Sequence, residues 1–125
     1  MKEWTEQRKH KRFRAQYGAV AALDNMSDVR LGLITDISKG GLAFCYIDHG
    51  THLETEGRED SKLEISLTAK DFYLDKLLCR LVLDCDIPAE ESATLLPMKK
   101  CSVQFAELAP HQVSQLDYFL ENFTK

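Results

Sequence analysis

A small set of residues in the first third of the chain has the side chains that a flat, anionic ligand requires. Arg8 and Arg12 lie in a basic stretch, and the short turn from Asp36 to Gly41 adds a carboxylate and the hydroxyl of Ser38. An arginine fork can donate to phosphate or to the O6 and N7 acceptors of guanine, and its plane can stack on a base. A carboxylate can accept from the guanine N1–H and 2-amino groups. These residue types therefore predict one site for a guanine nucleotide.

The turn also carries two adjacent glycines. Ser38 and the backbone N–H groups around it would supply further donors to a phosphate. Gly40 and Gly41 predict that the backbone turns here with positive φ and comes close to the ligand, because glycine has no Cβ. Both glycines are therefore candidate binding residues.

Charge is distributed unevenly along the chain. Residues 1–14 hold six bases and two acids, a net charge of +4, which leaves −8 for the remainder of a chain whose net charge is −4. A basic arm on an acidic body predicts a local anion site. It argues against nucleic acid as a partner, because nucleic-acid binding needs a basic face that spans many phosphates.

Apolar periodicity predicts the elements that must position these residues. Alternation predicts six strands joined by turns, and residues 110–123 then change to helical spacing with Pro110 at the first helical position. Gly32, inside the second strand, predicts a β-bulge or a close backbone approach. The predicted strands are Phe13–Leu23, Val29–Thr35, Leu42–Tyr46, Leu63–Leu67, Leu77–Ile87 and Cys101–Phe105, with loops at 48–60 and 88–98.

This pattern predicts an all-β domain, a closed or nearly closed antiparallel barrel of six strands capped by one C-terminal α-helix. Residues 1–12 lack periodicity and are interpreted as a flexible arginine-rich arm, and residues 13–125 as the barrel domain with its helix. In the fifth strand, Cys79 and Cys85 are predicted on the core face and Arg80 and Asp84 on the opposite face.

Cysteine spacing and hydropathy predict the compartment. Cys45, Cys79, Cys85 and Cys101 have no CxxC spacing and are interpreted as reduced thiols in the core. The longest apolar run, residues 19–23, is far shorter than the roughly 20 residues of a membrane helix, and no secretory signal is evident. We therefore expect a cytoplasmic protein that does not insert into membranes.

The two polar stretches together resemble the motifs of a known family. Arg8-x-x-x-Arg12 and Asp36-x-Ser38-x-x-Gly41 are similar to the RxxxR and (D/N)xSxxG motifs of PilZ domains, and the resemblance covers nearly the whole chain. It implies a six-stranded β-barrel that binds cyclic di-GMP, the bacterial second messenger. By position, Arg8 and Arg12 would hold phosphate and guanine edges, Asp36 and Ser38 would meet a guanine edge, and Gly41 would shape the turn.

The polar composition of the arm predicts a mechanism, and the sequence departs from the family's pattern at two positions. The arm is expected to be mobile when empty and to fold onto the barrel when cyclic di-GMP binds, which changes the surface shown to a partner protein of unknown identity. Gln7 stands where many PilZ domains place a basic or apolar residue, so the number of ligand molecules bound is left open. Ser102 stands where glycine is common.

Three other interpretations of the sequence compete with a cyclic di-GMP receptor. The sequence has no GxSxG, Walker or HExxH pattern, which predicts that the protein is not an enzyme. A metal site at Asp48, His49, His52 and Glu54 is less favoured than a solvated loop, so no metal or cofactor is expected. The alternative within the family is a PilZ-type adaptor that binds a protein and ignores the nucleotide.

Overall fold

The computed structural model describes residues 11–24, 29–47, 63–88 and 97–124, which form seven strands and one helix. The predicted arm, up to residue 10, lies outside the described residues, as do the predicted loop at 48–60 and residues 89–96. The elements are β1 Phe13–Arg14, β2 Val20–Asp24, β3 Val29–Ile37, β4 Gly41–Ile47, β5 Leu63–Ala69, β6 Phe72–Asp86, β7 Met98–Phe105 and α1 Pro110–Asn122.

The longer strands close into a barrel. Their order is β3-β2-β5-β6-β7-β4, and β4 pairs again with β3, so that the sheet returns to its starting strand. Every pairing is antiparallel. The predicted six-stranded antiparallel barrel with a C-terminal helix is confirmed, with β1 as one extra strand on β3.

The predicted first strand, Phe13–Leu23, is divided into β1 and β2. Between them the backbone bonds elsewhere: the Gln16 N–H donates to the Phe123 carbonyl at 2.8 Å, and Ala15 forms an isolated bridge with Thr124. Gly18 then turns the chain with φ of +97°. The predicted inward positions Ala15, Ala19 and Leu23 are buried, but Tyr17, predicted on the same face, is 93% exposed. The alternation fails there because the segment after Arg14 uses its hydrogen bonds to hold the C-terminus.

A β-bulge at Val82 reverses the inward and outward alternation of β6. One extra residue in a strand moves every later side chain to the other face. Leu83 is therefore exposed, and Cys85 lies opposite Lys100 on the outer wall, although both were predicted to face the core. Asp84, predicted to face outward, instead pairs with the buried Cys101.

The core fills the barrel and continues under α1. The helix begins at Pro110. Proline is tolerated there because the N–H groups of the first helical turn have no intrahelical acceptor. Its inner face closes one end of the barrel, and Phe72 lies against it with ring centroids 5.4–5.7 Å from those of three helix-side aromatic residues. Those residues are Tyr118, Phe119 and Phe123. The predicted packing helix is confirmed.

The structure tests the predictions made for Gly32 and for the four cysteines. A Cβ at Gly32 would lie 2.0 Å from the carbonyl oxygen of Cys45, which confirms the predicted close backbone approach. All four cysteines are free; Cys79 and Cys101 are buried in the core, but Cys45 and Cys85 are only half-buried.

Among the described residues, no helix is both long and apolar enough to cross a membrane.

Candidate ligand-binding site

The turn between β3 and β4 is organised by Ser38. Its N–H donates to the Gly41 carbonyl at 2.8 Å, and its Oγ accepts from the Gly40 N–H at 3.0 Å. The Gly40 carbonyl in turn accepts from the N–H of Phe105 at 2.8 Å, which ties the turn to the end of β7. Because Ser38 is buried, its hydroxyl fixes the shape of the turn in this structure.

Gly41 is required for a reason other than the predicted one. A positive φ was expected at both glycines of the turn, but Gly18 is the only glycine in the described segments with a positive φ. A Cβ at Gly41 would instead lie 2.2 Å from the carbonyl oxygen of Val103 on the neighbouring strand β7. The position therefore excludes larger residues because β4 and β7 approach closely there.

The two motifs meet at Arg12 and Asp36. An Nη1 of Arg12 lies 3.4 Å from Oδ1 of Asp36, across 24 positions of sequence. Asp36 faces outward near the end of β3, and β1 pairs with β3 just beside it. The side chains are 44% and 25% exposed, so both remain open to a ligand. Arg8, the other arginine of the first motif, lies outside the described residues.

The same pairing brings in Arg14, which the motif reasoning did not single out. Arg14 lies directly opposite Asp36 in the β1–β3 ladder, so the two side chains share the outer face of the wall. Alternation contained this signal, because Arg12 and Arg14 are two residues apart in extended chain and therefore project to one side. Asp36 thus has two arginines as neighbours.

Comparison with known proteins gives a consistent fold. A scan against protein-family models and a search of curated proteins found no match. Among solved structures, the chain is similar to MrkH of K. pneumonia in complex with c-di-GMP, with a TM-score of 0.72 at 18% identity over 93% of this chain and 52% of that one. It is also similar to the PilZ domain of YcgR from Escherichia coli with c-di-GMP, with a TM-score of 0.72 at 12% identity over 94% and 91% of the two chains.

The chain has a PilZ-type fold. A third match, PlzA of Borreliella burgdorferi in complex with c-di-GMP, has a TM-score of 0.62 at 15% identity over 96% of this chain and 55% of that one. The chain therefore spans about half the length of MrkH and PlzA but nearly all of the YcgR domain. The resemblance predicted from the two motifs is confirmed at the level of the fold.

An ion pair joins the motif turn of this PilZ-type fold to its helix. The ammonium of Lys39 lies 3.8 Å from the Asp117 carboxylate on α1, and both side chains are substantially exposed. Sequence reasoning missed this contact because it depends on where the helix packs. The turn is thus hydrogen-bonded to β7 and forms an exposed, weak ion pair with α1.

A second polar cluster lies inside the opposite end of the barrel. Arg30, which is buried, lies over the Tyr46 ring with 5.3 Å from its guanidinium carbon to the ring centroid. The Tyr46 hydroxyl donates to Asp84 Oδ1, and Lys99 Nζ lies 3.9 Å from Asp84 Oδ2. Burial and the bond to Asp84 raise the pKa of Tyr46 well above its usual range, so this hydroxyl remains a donor.

In the described segments, no group of His, Cys, Asp and Glu side chains is arranged to hold a metal ion. The candidate ligands Asp48, His49, His52 and Glu54 lie outside those segments.

Proposed function

We propose that this chain is a cyclic di-GMP receptor, and the contact between Arg12 and Asp36 is the observation that carries the proposal. These residues belong to separate motifs, yet the fold brings them to one outward-facing point of the wall. An arginine fork and a carboxylate side by side match the acceptor and donor edges of guanine.

The Arg12–Asp36 pair is weak enough for a ligand to open. Its separation of 3.4 Å is longer than the roughly 2.7–2.9 Å of a strong charge-assisted hydrogen bond. Exposed ion pairs of this kind contribute about 0–1 kcal/mol. A guanine base that binds Arg12 through its acceptors and Asp36 through its donors therefore has to disrupt only a weak contact.

The other candidate residues have separate roles in this proposal. Arg8 would reach phosphate and guanine from the arm, and Arg14 would add positive charge beside Asp36. Ser38, Gly40 and Gly41 would act through the shape of the turn, which presents Asp36 and the turn backbone to the ligand.

The structural matches support binding rather than catalysis as the activity. Structures of MrkH, the YcgR PilZ domain and PlzA hold c-di-GMP, and a further MrkH structure is described as a c-di-GMP-dependent transcription regulatory factor. MotI of Bacillus subtilis, similar at a TM-score of 0.63 and 16% identity, is described as an inhibitor of motility. A regulatory role for this chain follows by analogy, with its output passed to another protein.

The switch in this proposal is the folding of the arm. Without ligand, the six bases of residues 1–14 repel one another, and Asp36 can neutralise only part of that charge. The two phosphates of cyclic di-GMP supply the missing negative charge and draw the arm onto the wall beside Asp36. The surface around residues 1–14 then differs between the two states, and a partner protein reads that difference.

Calorimetric titration of nucleotide-free protein with cyclic di-GMP tests the proposal. Arg8→Ala and Arg12→Ala are each expected to weaken binding by about 1–3 kcal/mol, roughly five- to two-hundred-fold. Lys9→Ala is the matched control, since it removes one arm charge outside the motif and should change affinity much less.

Two outcomes would contradict this proposal. Equal losses from Arg8→Ala, Arg12→Ala and Lys9→Ala would indicate simple charge attraction. A wild-type protein that does not bind cyclic di-GMP at millimolar concentration would instead support the nucleotide-independent adaptor. Backbone amide signals of residues 5–14 and 36–41, followed in the same titration, report whether the arm folds.

A further inference from the structure

A shallow groove crosses the outer wall of the barrel, away from the motif turn. Its floor is made by small side chains, Ala22 on β2 and Ser66 on β5, which lie opposite each other in the β2–β5 ladder. Val29 and Leu31 on β3 form one side, and Tyr73 on β6 forms the other. This β3–β6 groove has a volume of about 280 Å³.

The groove is apolar where soluble barrels usually present polar side chains. Leu31, Tyr73 and Val29 are 63%, 59% and 52% exposed, and they lie on the face that alternation should leave to water. The Tyr73 hydroxyl and the Ser66 hydroxyl both donate to Asp75 Oδ1 at 3.0 Å, so the Tyr73 side of the groove is held in place. Three exposed apolar side chains therefore line one groove, where they provide apolar contacts for a partner.

The dimensions of the groove select the form of the occupant. Strands β3 and β6 are three strand positions apart, which corresponds to about 14 Å at the usual spacing of 4.7–4.9 Å. An α-helix with its side chains is about 10–12 Å across. A docked helix therefore matches the width of this groove.

The closed barrel also favours a helix over an added strand. Each of the six barrel strands is paired on both sides, so a partner has no long strand edge in the described sheet on which to extend it. A partner must therefore bind through side chains, and a helix does so with apolar anchors on one face.

Charge selects the sign of the partner. Glu64 lines one end of the groove, and Asp75 lies beside Tyr73. Lys76 is the one cation among the described residues that line the groove. A partner with lysine or arginine near its apolar face would complement this rim.

We propose that the β3–β6 groove binds an amphipathic α-helix of a partner protein, with an apolar face and flanking basic residues. Leucine-like side chains of that helix pack between Leu31 and Tyr73, over the small residues of the floor. Its basic residues meet Glu64 and Asp75. The groove shares strand β3 with Asp36, but its occupation does not require cyclic di-GMP.

Fluorescence anisotropy with labelled model peptides of about 20 residues tests this proposal, at a length that supports a helix. One peptide carries leucine at helical spacing and lysine elsewhere, the second is the same composition scrambled to remove the apolar face, and the third replaces lysine by glutamate. The first is expected to bind at least tenfold more tightly than the other two. Amide signals of residues 20–24, 29–33, 64–68 and 73–76 should shift on binding.

Matched variants locate the site. Leu31→Asp is expected to weaken binding of the leucine-lysine peptide about tenfold or more, as loss of a central apolar anchor does. Val82→Asp is the control, because Val82 is 62% exposed on β6 and lies outside the groove. The affinity of this variant for the peptide should stay within about twofold of that of wild type. Glu64→Gln should weaken the basic peptide several-fold. Both apolar positions are exposed, so the thermal unfolding of the two variants should match that of wild type.

Several outcomes would overturn the proposal. Equal binding of the ordered and scrambled peptides, or equal losses from Leu31→Asp and Val82→Asp, would show that the groove has no specific role. Sedimentation that reveals a dimer dispersed by Leu31→Asp would assign this face to a second copy of the chain. The Arg12→Ala variant should retain peptide binding, so a failure of the nucleotide proposal remains distinguishable from a failure of this one.

Discussion

Gly41 lies so close to Val103 that a β-carbon at Gly41 would stand 2.2 Å from the Val103 carbonyl oxygen. The obstacle is backbone, which cannot rotate away, so Gly41→Ala must separate β4 from β7 beside the motif turn. We expect a loss of about 1–3 kcal/mol or more in the free energy of unfolding, as for overpacked cores. Affinity for cyclic di-GMP should fall as well. Urea denaturation and calorimetry measure the two effects.

Gly18→Ala is the control for this substitution. Gly18 has φ of +97°, but a Cβ there would meet nothing within 4 Å. Its cost is therefore conformational, about 1–2 kcal/mol for a left-handed residue with a side chain. Nucleotide affinity should be unchanged. A Gly41→Ala variant as stable as Gly18→Ala, with normal affinity, would show that β4 and β7 do not constrain the site.

The hydroxyl of Ser38 should act mainly through the turn. Its Oγ accepts from the Gly40 N–H and lies 3.4 Å from the Gly41 carbonyl oxygen, in a buried position. Ser38→Ala is expected to lower the free energy of unfolding by about 1–3 kcal/mol, because it leaves a buried N–H without its acceptor. Binding of cyclic di-GMP should weaken together with stability. Ser114→Ala, at an exposed helix position, should change neither.

The opposite outcome for Ser38→Ala is also informative. A variant as stable as wild type that still loses affinity would mean that the hydroxyl contacts the ligand directly. Urea denaturation and calorimetry on the same protein preparation distinguish these possibilities.

The polar cluster inside the far end of the barrel should contribute to stability but not to nucleotide binding. Asp84 accepts from the Tyr46 hydroxyl and lies 3.9 Å from Lys99. Asp84→Asn removes the charge that both neighbours face, and we expect a loss of about 1–3 kcal/mol in the free energy of unfolding. The affinity for cyclic di-GMP should not change, because Asp84 contacts Tyr46 and Lys99 and not the residues of the motif turn.

Asp86→Asn tests this assignment. Asp86 lies on the same strand but is exposed, so its effect on stability should be within about 0.5 kcal/mol. Equal losses from the two substitutions would indicate a general effect of charge on the barrel. A change in nucleotide affinity with Asp84→Asn alone would indicate coupling between the two ends.

Apolar periodicity was enough to predict the barrel strands and the helix, although it left open whether the barrel closes completely. Apolar residues recur with a period of two in six segments and then change to helical spacing, and the closed sheet follows that pattern. The bulge at Val82 was not predictable, because an extra residue depends on how β6 pairs with β7 and not on the type of residue 82. The same holds for the break after Arg14, whose neighbours bond to the distant C-terminus.

The sequence singled out residues of the candidate site but did not predict the contacts between them. Spacing identified Arg12 and Asp36 but could not show that they touch, since 24 residues separate them and only the β1–β3 pairing unites them. Gly41 was singled out because a positive φ was expected there, whereas the structural constraint comes from Val103 on another strand. Lys39 and Asp117 were missed because their contact depends on helix packing.

The buried thiols predict how stability changes in alkali. Burial raises the pKa of Cys79 from 9.0 to about 12, and burial also raises the pKa of Cys101 and Cys45. Above about pH 9 the unfolded chain therefore loses these protons while the folded chain keeps them, so the unfolded state binds fewer protons and stability falls as pH rises. For Cys79 the loss should extend from about pH 9 to about pH 12. Below pH 8 these thiols should add no pH dependence.

Urea denaturation at intervals from pH 7 to pH 10.5 measures this effect. Each thiol that is ionised only in the unfolded state lowers the free energy of unfolding by about 1.4 kcal/mol per pH unit. Cys79→Ala should be less stable at every pH because of the cavity it leaves, but its alkaline slope should be shallower by that amount near pH 10. The slope separates the two effects, because a cavity does not titrate. Identical slopes for Cys79→Ala and wild type would show that the Cys79 thiol ionises equally in both states.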